Sequence, residues 1–248
     1  VEDDTLTVKF VLEVRPDGDY ESQPLGNAAE VPEPTLSRDT QALLEHGRLS
    51  DVQFSVQGEL IHAHSQVLCS RSEVFEKQLT VGMQESVSKV IVIEDCDVVT
   101  FKAFLQFLYT DSLPDVKELV AETSSMDGSP PLSQMQALLA VSHKYQVTRL
   151  QRWCEWKLCQ QLSTSEVCGL LCQAHLLQAK QLENACLSYM RDHMSQVLKL
   201  PAYAELIKKW PQIGMKVSLF TAGVSETEAA EAMGALAGPD SLLALATK

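Results

Sequence analysis

Strand-like alternation occupies only short stretches of this chain, which limits it to a small sheet among many helices. Val52, Phe54 and Val56 alternate with polar residues, Gly58 supplies a turn, and Leu60–Ala63 returns as a second arm. Period-two alternation around a glycine turn marks a half-buried β-hairpin. Val90–Ile93 is a wholly apolar stretch of strand length. Elsewhere the apolar residues mostly repeat at three and four, the spacing of one helix face. Phe101, Phe104, Leu105 and Leu108 mark a helix over Val99–Tyr109, and Met135, Leu138, Leu139 and Ser142 mark another over Leu132–Tyr145. Leu150, Trp153, Cys154 and Leu158 do so over Thr148–Gln161, and Leu182, Cys186, Met190, Met194 and Val197 over Ala179–Leu198. Leu36, Leu43 and Leu44 place a helix before the hairpin, closed by Gly47, and two short helices over 65–70 and 72–79 come after it. The fold class is α/β, more strictly α+β: a small, mostly three-stranded sheet flanked by helices, then an all-helical segment.

The chain divides unevenly. Leu6, Val8, Phe10 and Leu12 alternate within Leu6–Val14. A lone strand is not stable, so residues 1–14 read as the last strand of a domain lying upstream. Residues 15–35, with Pro24, Gly26, Pro32 and Pro34 among acids, read as a linker. A compact domain spans 36–160, interrupted by a polar, turn-rich loop at 111–131, and a helical segment spans 161–210. Its entry, Ser163-Thr-Ser-Glu166, fits a capping box, with Leu162 and Val167 placed as a hydrophobic staple. Residues 211–248 form an Ala-rich tail.

Composition narrows the function. The chain has 248 residues, 45% of them hydrophobic, and a formal net charge of −13. Residues 1–50 alone contribute −7, so the early segment is solvated. Nucleic acid and anionic membranes both demand a basic face, and the longest basic run is Lys208-Lys209. Neither is expected as a partner. Seven cysteines, most of them in apolar helical settings, point to a reducing, intracellular compartment. Phosphate-cradling glycine loops and nucleophile elbows are missing from the sequence. His62 and His64 sit two apart in a strand and would share a face. Cys168, Cys172 and His175 share a helix face and could hold a soft metal. Packing and hydrogen bonding account for both sets more simply, so no metal and no cofactor are expected. Asp51 and Arg71 lie beside apolar runs and require ionic or capping partners. Met83, after Gly82 and before polar residues, is a thioether placed for contact with a partner.

Residues 36–150 resemble the BTB/POZ domain. The likeness rests on LSDVQFSVQGELIHAHSQVLCSRSEVFEKQL (49–79), VIVIEDCDVVTFKAFLQFLYT (90–110) and LLAVSHKYQVTRLQRWCEWKL (138–158), in order and spacing. Leu6–Val14 and the proline-bearing linker resemble the end of a MATH domain, so the arrangement is similar to the MATH-BTB family. Residues 163–200 resemble the helical 3-box, or short BACK region, that comes after the BTB domain there.

This resemblance implies a non-catalytic adaptor of a cullin-3 ubiquitin ligase that forms a homodimer. Met83 and Glu85 match the family's hydrophobic-x-Glu cullin contact, and Tyr109 and Tyr145 would flank it. Leu36, Leu43 and Val67 match the dimer interface. Thr40 departs from an apolar position there, and Ser218 stands where a second self-association surface would carry an aromatic. Substrate proteins would be held only through a MATH domain upstream of residue 1. Nucleus and cytoplasm both fit. Two other readings are a BTB scaffold recruiting non-cullin partners such as transcriptional corepressors, and a metal protein or enzyme built on His62, His64, Cys168, Cys172 and His175.

Overall fold

A computed structural model of the chain describes residues 33–80, 87–112 and 132–224. The readings made for 1–14, most of the linker, Met83, Glu85, the loop from residue 113 onward and the tail after 224 lie outside them. The chain divides into two units between Pro34 and Thr35, and the second holds every helix and strand of the described residues.

Helix α1 (Leu36–His46) ends at Gly47, which adopts φ 57° and sends its amide to the Leu44 carbonyl. The hairpin joins β1 (Val52–Val56) to β2 (Glu59–Ala63) through Gln57 and Gly58, both at positive φ. That backbone twist suits a two-residue hairpin turn. Helices α2 (Ser65–Arg71) and α3 (Glu73–Thr80) then cross to β3 (Val90–Ile93), which pairs parallel to β1. The strand order is β2-β1-β3.

Alternation decides the faces. Val52, Phe54, Val56, Ala63, Ile91 and Ile93 point inward and are buried. Register sets His62, Gln53 and Val90 in one outward row and Leu60, Ser55 and Val92 in the next. Beneath the sheet lies α4 (Val98–Thr110), apolar around most of its circumference. The Asp97 carboxylate caps it, accepting the Thr100 amide at 2.9 Å. Helices α1, α2 and α5 (Leu132–Lys144) pack on α4. Phe54 lies 4.9 Å from Phe101 and 5.7 Å from Phe75, edge to face.

A tight turn, Tyr145-Gln146-Val147, reverses α5 into α6 (Thr148–Gln160). The all-helical part continues as α7 (Val167–Leu176), α8 (Lys180–Asp192), α9 (Met194–Val197), α10 (Pro201–Lys209) and α11 (Pro211–Thr221). Three expectations change here. The capping box does not form: the Ser163 hydroxyl lies 3.1 Å from that of Ser165, and α7 begins only at Val167. The long helix over 179–198 breaks at His193, whose ring stacks on Tyr189 at 4.2 Å. Ordered packing also runs past residue 210. Residues from 211 read as tail in sequence, but Pro211 opens a further helix, and proline is favoured at the first helical position. Ile213 and Val217 of α11 are buried against α8 and α10. Gly214 permits that approach, since a Cβ there would meet the Ile207 side chain at 3.2 Å.

Glu183 ties three of these helices. Its carboxylate accepts from Lys216 at 2.7 Å on α11 and lies 3.0 Å from His175 on α7. Burial works to raise this carboxyl, and the bonds from Lys216 and His175 outweigh it, holding it below the usual range.

Candidate functional site

Two surfaces of the folded part stand out, one as an apolar groove and one as a helix without a buried residue. The first is a groove of about 410 Å³ between α3, β3 and the α5–α6 turn. Ser72 joins the first and last of these: its hydroxyl donates to the Tyr145 carbonyl at 2.7 Å and accepts the Phe75 amide at 3.3 Å. Phe75 turns inward from α3 and stacks on the Tyr145 ring at 4.2 Å. Val74 and the stem of Lys77 form one wall, and Val92, 63% exposed, belongs to the other. Lys144 closes the end, paired to Asp95 at 2.9 Å. The result is a mainly apolar trough with ion-paired lysines at its rim.

Tyr109 and Tyr145 themselves present little surface to a partner. Both are buried: Tyr145 is the floor beneath the groove, and Tyr109 is turned inward to satisfy His64. The helix-end position of each tyrosine suggested access, but a large ring at the end of a buried helix fills the core. Burial pushes the Tyr109 hydroxyl up to about 12, against the bond from the His64 amide, and burial also raises that of Tyr145.

The Tyr109 oxygen accepts the His64 amide at 2.8 Å and lies 2.8 Å from His64 Nδ1. His64 Nε2 lies 2.6 Å from the Arg48 carbonyl, which can only accept, so that nitrogen carries the proton. Nδ1 then accepts the Tyr109 hydroxyl. Both ring nitrogens are committed, and His64 lies beyond the end of β2 while His62 points to solvent. Tyr109→Phe strands the buried His64 amide, and the expected cost is about 2 kcal/mol, read from urea unfolding at fixed protein concentration. A cost below about 0.5 kcal/mol would mean that water replaces the hydroxyl.

Among the described residues no group of three or more His, Cys, Asp or Glu is placed to hold a metal. His175 is engaged by Glu183. All seven cysteines are free, and burial raises the thiols of Cys168 and Cys172. Asp51 finds its partner in Ser65, accepting from its amide at 2.7 Å and hydroxyl at 2.5 Å, which caps α2. Arg71 pairs with Asp111, as does Arg149, and both guanidinium groups lie over Phe107.

The second surface is α1. None of its residues is buried, and Leu36 is 75% exposed. Leu43 and Val67 are partly buried at the margin of the core, on two helices that both lean on α4. Thr40 spends its hydroxyl on the Leu36 carbonyl at 2.8 Å, which lessens its polarity toward a neighbour.

The BTB/POZ domain family model matches residues 40–162. BTB/POZ and MATH domain-containing protein 6 of Arabidopsis thaliana is 32% identical over 200 residues, covering 79% of this chain and 48% of that protein. Protein 4 of the same series, also from Arabidopsis thaliana, is 30% identical over 202 residues, covering 81% and 43%. The chain thus spans about half the length of the curated relatives it matches. Among solved structures, the BTB domain of zebrafish PATZ1 is 18% identical with a TM-score of 0.39, covering 53% of this chain and 99% of that one. The BTB domain of human gigaxonin is 17% identical with a TM-score of 0.36, covering 55% and 98%. The matched span and the curated relatives from Arabidopsis make the chain a BTB/POZ-domain protein of the MATH-BTB type, carrying a protein-interaction module.

Proposed function

We propose that the chain is the dimerising, partner-binding part of a cullin-3 ubiquitin ligase adaptor, without a catalytic step of its own. One observation carries this reading: the groove between α3, β3 and the α5–α6 turn is walled by the two elements that Met83-Gln84-Glu85 connects in sequence. An apolar trough, with an apolar-x-Glu sequence in the segment that joins two of its walls, suits a helical partner, with Met83 as the anchor and Glu85 as its polar companion. Leu36, Leu43 and Val67 would meet the same patch of a second copy. Substrate proteins would be held by a MATH domain of the kind its relatives' names record. Seven free thiols agree with an intracellular site, nucleus or cytoplasm. Among the described residues no helix is long and apolar enough to cross a membrane.

Mixing the purified chain with the cullin-3 N-terminal region tests the reading. The expected result is co-elution with two cullin chains per dimer, and Met83→Asp weakening binding about tenfold or more, the loss of one buried apolar anchor. No complex at about 50 µM, a concentration that detects even weak binding, would refute it.

A further inference from the structure

We infer that Glu155 is the positioning residue that fixes the helical extension against the BTB domain. It lies on α6, the last helix within the matched span. Its neighbours Arg152 and Trp156 are exposed, yet Glu155 itself is fully buried. Its Oε2 accepts the amides of Gln181 at 2.9 Å and Leu182 at 3.3 Å. Those are first-turn amides of α8, which a helix cannot satisfy internally. The residue at the N-cap of α8 is Ala179, which has no side-chain acceptor. The extension therefore takes its cap from the BTB domain, and a negative charge at that end is favourable.

The arrangement has little slack. A buried carboxylate without partners is strongly unfavourable. Glu155 Oε1 has no hydrogen bond, only Arg152 at 3.6 Å. If α8 slid or rotated, both hydrogen bonds of the carboxylate would be lost together. Because α7 and α11 pack on α8 and share Glu183 with it, holding the first turn of α8 holds the group. Among the described residues two other hydrogen bonds cross the seam: Gln173 Nε2 donates to the Gln136 carbonyl at 2.9 Å, and Gln151 Nε2 to the Leu177 carbonyl at 3.5 Å. Both are neutral and weaker. A partner that touches both parts would depend on Glu155 without touching it. That consequence rests on the adaptor reading, whereas the positioning itself does not.

Hydrogen exchange on the whole chain decides the point. In Glu155→Ala, amides of α7, α8, α10 and α11 should exchange about tenfold faster or more as a group, the loss expected of a charge-assisted bond. Those of β1 and α4 should stay as in the wild type. Glu155→Gln keeps an acceptor oxygen without the charge and should give a smaller change of the same pattern, which covers the case in which the alanine variant fails to fold. Unchanged exchange in both, a change confined to Gln181 and Leu182, or equal acceleration in β1 and α4 would each overturn the inference. Affinity for the cullin-3 N-terminal region should fall about tenfold in Glu155→Ala, with the dimer intact. A wild type that binds no cullin-3 sinks the adaptor reading but leaves the exchange result to judge Glu155.

Discussion

Leu43→Asp is expected to turn the proposed dimer of 27.4-kDa chains into monomers while leaving the fold of each chain in place. Helix α1 is 11 residues long and has no buried residue. A helix whose apolar side is only partly covered within its own chain gains from a second surface that covers the rest. Leu36 is three-quarters exposed, and Leu43 is only partly covered. In a two-fold contact each position occurs twice. Losing about 2 kcal/mol of leucine burial per copy removes about 4 kcal/mol per dimer, before the desolvation of two facing carboxylates is counted. That alone raises the dissociation constant about a thousandfold. Because Leu43 is outside the buried core, circular dichroism should stay close to the wild type. Light scattering on eluting protein reads the result directly. A monomeric wild type at about 10 µM, or a dimer surviving both Leu36→Asp and Leu43→Asp, would remove α1 from the interface at these affinities.

The elements that bury one clear face were legible in the sequence. The hairpin and the helices over 98–110, 132–144 and 148–160 come from periodicity, because burial of that face is what forms them, and the third strand comes from its short apolar run. Polar residues inside the fold were not legible. Glu155 sits where an amphipathic pattern assigns solvent, and only the approach of α8, 26 residues later, makes it a cap. Asp111 likewise becomes a clasp only when α2 and α6 bring two arginines to it. Periodicity also misled at Ala179–Leu198, where the apolar stripe runs on through the break at His193. The bulk charge was a poor guide to the folded surface. The described residues hold 16 acidic and 16 basic side chains, so the whole excess of −13 belongs to the other segments. At the candidate site, the order of elements around the groove was readable, but the inward turn of Tyr145 was not. It depends on stacking with Phe75, a contact between residues seventy apart.

That contact carries the largest single effect expected on stability. Phe75 is fully buried, and its ring meets Phe54 at 5.7 Å, Phe104 at 6.4 Å and Tyr145 at 4.2 Å. Phe75→Ala removes the common neighbour of the sheet, α4 and the α5–α6 turn. The expected cost is about 3–5 kcal/mol, from lost transfer energy plus an unfilled cavity. It should appear as a lower urea midpoint with little change in slope, measured at fixed protein concentration because the proposed dimerisation would add to stability. Phe75→Leu keeps most of the volume and loses the stack, so about 1–2 kcal/mol is expected. The difference between the two variants separates volume from ring contact. Both should loosen Tyr145 and with it the groove floor, so a near-native variant should bind a partner at the groove more weakly than its stability loss explains. If Phe75→Ala costs less than about 1 kcal/mol, the stack is not what joins α3 to the α5–α6 turn. The Ser72 bond to the Tyr145 carbonyl would then be the remaining support for the groove.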